Sequence, residues 1–134
     1  MRRPLVTMSV LACSLPLAAC AGTTSTAGFK GTEHEVAQTI ANLQSDVTAS
    51  EQKKVCANDL AAAVVSRLGG AKGCEAVVKE RLSEIDNTEL TVESVKVSGT
   101  SATASVKSVY SGRKKLTTVS LVKEGGKWRI STLQ

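Results

Sequence analysis

The sequence predicts an α+β fold, three helices packed on a curved antiparallel four-stranded meander, from three observations. Apolar residues recur at helical spacing from Val36 to Ile85, then at every second position beyond Asp86-Asn87. The second half is rich in Val and Thr, residues that suit a pleated, half-buried surface. Its alternating runs are separated by Gly-containing segments with the chemistry of tight turns.

The helical half comes first. Thr32-Glu33-His34-Glu35 has the form of a capping box, with Thr32 as N-cap and Glu35 three residues on. Val36, Ile40, Leu43 and Val47 then form one apolar face. Ser50 is expected to cap a second helix with Cys56, Leu60, Val64 and Leu68 on one side, stopped by Gly69-Gly70. A third is expected from about Cys74 to Ile85, with Val77, Val78, Leu82 and Ile85 inward.

Leu90 to Val97, Ala102 to Val109, Leu116 to Val122 and Trp128 to Leu133 read as strands. Ser98-Gly99-Thr100, Ser111-Gly112-Arg113 and Glu124-Gly125-Gly126-Lys127 read as the turns between them. Leu90 and Val92 share one parity and Val95 and Val97 the other. That change of face predicts a bulge near Glu93-Ser94 and a bent sheet.

This order of elements, the paired cysteines and the ending Leu121-Val122-Lys123-Glu124-Gly125-Gly126-Lys127-Trp128-Arg129-Ile130 resemble small nuclear-transport-factor-2-like lipoproteins. Theirs is the cystatin-like conical fold that ketosteroid isomerases also use. The resemblance spans roughly Thr32 to Leu133 and implies an inward Trp128. No long fifth or sixth strand is visible between the helices, so a shallow cone is expected.

The start of the chain carries an address. Met1-Arg2-Arg3 is followed by an uncharged, apolar run from Leu5 to Ala19, the length of a signal-peptide core and too short to span a bilayer. Leu17-Ala18-Ala19-Cys20 resembles the lipobox of bacterial prolipoproteins at every position. The resemblance implies cleavage after Ala19, so residues 1–19 are a signal peptide. It also implies a diacylglyceryl thioether on Cys20 and a further acyl chain (palmitate or similar) on its amine. The protein is then expected in the cell envelope, lipid-anchored to the outer face of the cytoplasmic membrane, or to the outer membrane of a Gram-negative cell. Residues 20–31 read as the lipidated start and a flexible tether, Ala21 to Gly31 being Thr, Gly, Ser and Ala with one Phe. Residues 32–134 read as a single domain.

Loss of Arg2 and Arg3 leaves 15 basic against 12 acidic residues, lowering the net charge from +5 to +3. The remaining cations are scattered and aromatics are scarce, so nucleic acid is not an expected partner. Cys13 leaves with the leader and Cys20 is lipidated. Cys56 and Cys74 remain, an even pair in an oxidising compartment, which reads as one disulfide. A helix from Asn58 to Leu68 rises about 16 Å, and Gly69 to Gly73 can return about 17 Å, so closure is feasible. Free thiols or an intermolecular bridge remain the alternatives.

Little else points to chemistry. His34 is the lone histidine, and its neighbours Glu33 and Glu35 point elsewhere on a helix, so no metal site is expected. No catalytic constellation, phosphate loop or cofactor motif is present. Tyr110 and Trp128 are candidates to line a pocket. Arg113-Lys114-Lys115 form a basic hairpin tip, suited to anionic headgroups or to discouraging edge pairing. These readings describe a non-catalytic, membrane-anchored domain that binds a partner protein or a small apolar ligand. The alternative is a small enzyme of the ketosteroid-isomerase or dehydratase type, which needs a buried carboxyl.

Overall fold

The computed structural model describes residues 24–84 and 89–133. The leader, Cys20 and the Ile85-Asp86-Asn87 junction lie outside them. Four helices precede the sheet: α1 (Gly31–Thr48), α2 (Gln52–Lys54), α3 (Ala62–Arg67) and α4 (Gly70–Glu84). The strands are β1 (Glu89–Ser98), β2 (Ser101–Tyr110), β3 (Arg113–Glu124) and β4 (Lys127–Leu133), paired antiparallel in the order β1-β2-β3-β4.

The meander follows the sequence expectation closely. Val92 pairs with Val106 and Ser94 with Ser105, so Glu93 is the extra residue of a bulge. The bulge lets both Val92 and Val95 face inward despite their opposite parity. A second bulge skips Ser131, with Ser120 opposite Thr132 and Leu121 opposite Ile130. The helix-facing surface carries Val92, Val95, Ala102, Ala104, Val106, Val119, Leu121, Trp128 and Ile130. α1 seals it with Val36 and Ile40, at 0% and 1% exposure. Burying side chains of this size contributes about 1.5–3 kcal/mol each, so this dry layer is the main source of stability.

The helical half departs from expectation in three ways. α1 begins two residues early, with Lys30 at the N-cap position and no side-chain cap. Thr32 therefore lies inside the helix. Glu35, expected to complete a capping box, turns instead to Lys123 and Trp128. A cation and an indole N–H together outcompete the single backbone N–H of a box.

The expected second helix is broken. Ser50 adopts φ 55 and does not cap it. α2 passes into a widened π-type turn over Val55–Asp59, in which the Leu60 N–H reaches back to the Val55 carbonyl at 3.1 Å. Leu60 is then extended and bridges Ile130 in parallel fashion, while the Ala61 N–H donates to the Ile130 carbonyl at 2.8 Å. This two-residue stub covers the open edge of β4, so an unpaired edge is protected without a full fifth strand. α3 restarts from Ala61, its first free N–H (Ala62) donating to Glu124 Oε2 at 3.1 Å.

α4 begins at Gly70, four residues before the expected Cys74. Gly69 and Gly70 have φ +90 and +77, and a Cβ on Gly73 would sit 2.1 Å from the Leu68 carbonyl oxygen. The tight return therefore needs glycine for both conformation and space. It brings Cys74 to Cys56, and the two form a disulfide with Cα atoms 6.1 Å apart.

The linker is shorter than expected. Thr24 is buried, and its hydroxyl donates to the Gln44 side-chain oxygen and lies 3.2 Å from the Leu90 carbonyl. Phe29 packs against the core. Within Ala21–Gly31, the chain is held against the domain from Thr24 onward.

Candidate functional site

A cleft of about 570 Å³ runs along α1, between its His34–Asp46 face, the Val55–Asp59 turn and the β3–β4 hairpin. Most of its lining residues carry polar side chains, though the surface they present is about equally polar and apolar: Gln38, Asn42, Ser45 and Asp46 from α1, Asn58 and Asp59 from the turn, Gly126 and Lys127 from the hairpin. The 3.6-residue period of α1 explains why one side of that helix seals the core while the adjacent side lines the cleft.

Asp59 dominates the electrostatics. It is 3% exposed, and its Oδ2 has no hydrogen-bond partner. Burial pushes its carboxyl up to about 7, reinforced by the charge of Asp46 and a hydrogen bond with it, while Arg129 pulls the other way. The Asp59 carboxyl therefore tends to keep its proton near neutrality, because ionising it would place a charge in a poorly solvated site and close to Asp46. The widened turn creates this arrangement. It ends on Asp59, and the chain leaves at once to join β4. Such π-type turns are often found at functional positions.

The surrounding cations are already engaged. Lys123 lies 3.4 Å from Glu35 Oε2 and 5.6 Å from the centre of the Trp128 ring. Arg129 donates to the Ala57 carbonyl at 2.6 Å. Lys127 remains exposed on the rim.

Trp128 is 4% exposed and sits in both places considered for it. Its ring joins the core, and part of it lines the cleft. Its indole N–H donates to Glu35 at 3.3 Å. Tyr110 is 48% exposed at the β2–β3 hairpin and is not among the cleft residues. His34 stands exposed at the cleft's edge, its ring nitrogen 3.3 Å from the Thr26 carbonyl. No group of three or more His, Cys, Asp or Glu that could hold a metal occurs among the described residues.

Asp46, Asn58 and Asp59 were not singled out by sequence reasoning. One signal was present: Asp59 stands three residues after Cys56 and next to Leu60, so it interrupts the stripe assigned to the helix interior. A carboxyl on an apolar stripe needs a special environment.

Comparison with solved structures gives the fold a name. A de novo NTF2 protein superposes with TM-score 0.50 at 15% identity, covering 72% of this chain and 92% of that one. The fold is NTF2-like. A Campylobacter jejuni protein described as an NTF2-like transpeptidase gives TM-score 0.46 at 16% identity, covering 68% and 92%. No protein-family model matches the sequence, and no curated protein matches it. At these identities the likeness concerns the NTF2-like fold alone.

Proposed function

We propose that this chain is an exported lipoprotein, anchored through Cys20, whose NTF2-like domain binds a small, polar, positively charged ligand without transforming it. The observation that carries the ligand class is the buried Asp59 carboxyl, unpartnered at Oδ2 on the wall of the cleft. An ammonium group placed there donates to Asp59 and Asp46 and takes the place of the proton that Asp59 otherwise keeps. A small apolar ligand, the class expected from sequence, would leave the amides and carboxyls among the lining side chains without partners, whereas a cation answers them. The lipobox supports the anchor, and the short span from Cys20 to Thr24 keeps the domain close to the bilayer.

Proton linkage gives the test. With methylammonium or another small primary ammonium compound as probe, calorimetry should show binding about tenfold weaker for each pH unit below 7. Asp59→Asn should abolish that dependence. Binding that is independent of pH, or tighter binding of an uncharged apolar probe, would contradict the reading. For the anchor, Cys20→Ser should move the protein from the membrane fraction to the soluble one.

A second reading is supported by the same carboxyl. A group pushed to about 7 is suited to exchanging protons with a substrate. The isomerase-type alternative would then use Asp59 as base, with the side-chain amides of Gln38, Asn42 and Asn58 as the available donors. Proton–deuteron exchange into a carbonyl probe, lost in Asp59→Asn, would favour it over simple binding.

A further inference from the structure

Both exposed large hydrophobic residues among the described ones, Tyr110 and Leu116, lie on the β2–β3 hairpin. Between them stand Arg113, Lys114 and Lys115, all exposed and in none of the ion pairs of the described residues. The tip itself is tight. Ser111 and Gly112 both have positive φ, 48 and 75, as a two-residue type I′ turn requires. The three cations and two apolar side chains are therefore displayed on a firm strand end.

The direction in which the chain leaves the domain gives this display a target. Thr24 is fastened to the Leu90 carbonyl. Leu90 pairs with Ser108, and Ser108 pairs with Lys115. The N-terminal exit and the basic hairpin thus lie at the same end of the sheet, two strand spacings or about 10 Å apart. Cys20 is four residues before Thr24, a reach of about 14 Å at most. The Gly125-Gly126 turn, at one end of the cleft, belongs to the opposite end of the sheet.

We infer that the β2–β3 hairpin is a second membrane contact, in which Arg113, Lys114 and Lys115 bind anionic phospholipid headgroups while Tyr110 and Leu116 enter the interface. The inference rests on the lipoprotein reading for the nearness of a bilayer. Its physics needs no acyl chain. The contact would hold the domain upright on its anchor, with the Gly126 end of the cleft turned away from the bilayer.

The test uses the chain from residue 20 onward carrying Cys20→Ser, so that binding reports the hairpin and neither the apolar leader nor the lipid. Sedimentation with phosphatidylcholine vesicles containing phosphatidylglycerol should show binding that fades at high salt, with little binding to phosphatidylcholine alone. Removing one cation should weaken partitioning about fivefold, and reversing all three to Glu should remove it while the melting temperature holds. Tyr110→Ser with Leu116→Ser should weaken binding with the charges intact. No binding to anionic vesicles at low salt, equal binding to both vesicle types, or an unaffected triple reversal would overturn the inference. So would tighter binding to a single-stranded oligonucleotide than to the vesicles. Because Cys20 is absent from this test, its failure leaves the fractionation test of the anchor standing.

Discussion

The sheet with α1 and the segment from Glu51 to Cys74 are built on different principles. The first is regular and dry: alternating strands and one helical stripe meet over Val, Ile, Leu and Ala side chains. The second is short of regular structure. It has three residues of α-helix, a five-residue π-type turn, a two-residue stub and six residues of helix before the glycines. What holds it is specific and local: a disulfide, the bridge to Ile130 and the Glu124 carboxylate at the start of α3. The regular region supplies stability, and the irregular one supplies Asn58 and Asp59 to the cleft. A buried carboxyl is placed where the helix breaks, on the wall of the cleft.

The largest predicted effect concerns Asp59. Its folded value lies near 7 against 3.8 for the ordinary group, so the folded state binds more protons than the unfolded one between those limits. Stability is therefore full below about pH 4 and falls as pH rises through 7. With solvent screening at the site allowed for, the loss should be about 2 kcal/mol. Asp59→Asn should flatten this profile in urea unfolding followed from pH 4 to 8. A wild-type profile that is already flat would remove the electrostatic difference between the two regions.

The disulfide comes next. Closing a loop with a sequence separation of 18 stabilises the fold by about 3 kcal/mol in the chain-entropy account. Reduction, or Cys56→Ser with Cys74→Ser, should lower the urea midpoint accordingly. Amide exchange should accelerate first in residues 51–74 while β2 and β3 stay protected. Equal acceleration in both regions would show that they unfold as one unit.

The smallest effect is at Glu124. Glu124→Ala deprives the Ala62 N–H of its acceptor and should cost about 1 kcal/mol, as loss of a helix cap does. Exchange at residues 62–65 should report it before any strand amide does.

The same division decided what could be read in the sequence. The strands, α1 and the Glu93 bulge were legible because side-chain parity is set locally, and the step from Val92 to Val95 carries its own warning. The cysteine pairing was legible by elimination and is present. The π-type turn and the Leu60–Ala61 stub were not, because Cys56, Leu60, Val64 and Leu68 keep helical spacing and only the open edge of β4 competes for that backbone. Thr24 escaped for the same reason. A threonine in a Gly/Ser/Thr-rich stretch finds Gln44 and Leu90 only once the fold exists. Asp59 could have been flagged as a carboxyl on an apolar stripe, but its partner Asp46 belongs to another element.

The central claim is that the irregular segment places a buried carboxyl with a raised pKa, Asp59, on the wall of the cleft. The most direct measurement is a carbon-13 NMR titration of the Asp59 side-chain carboxyl in the unliganded protein. The account predicts a midpoint near 7. A midpoint near the ordinary aspartate value of 3.8 would contradict it.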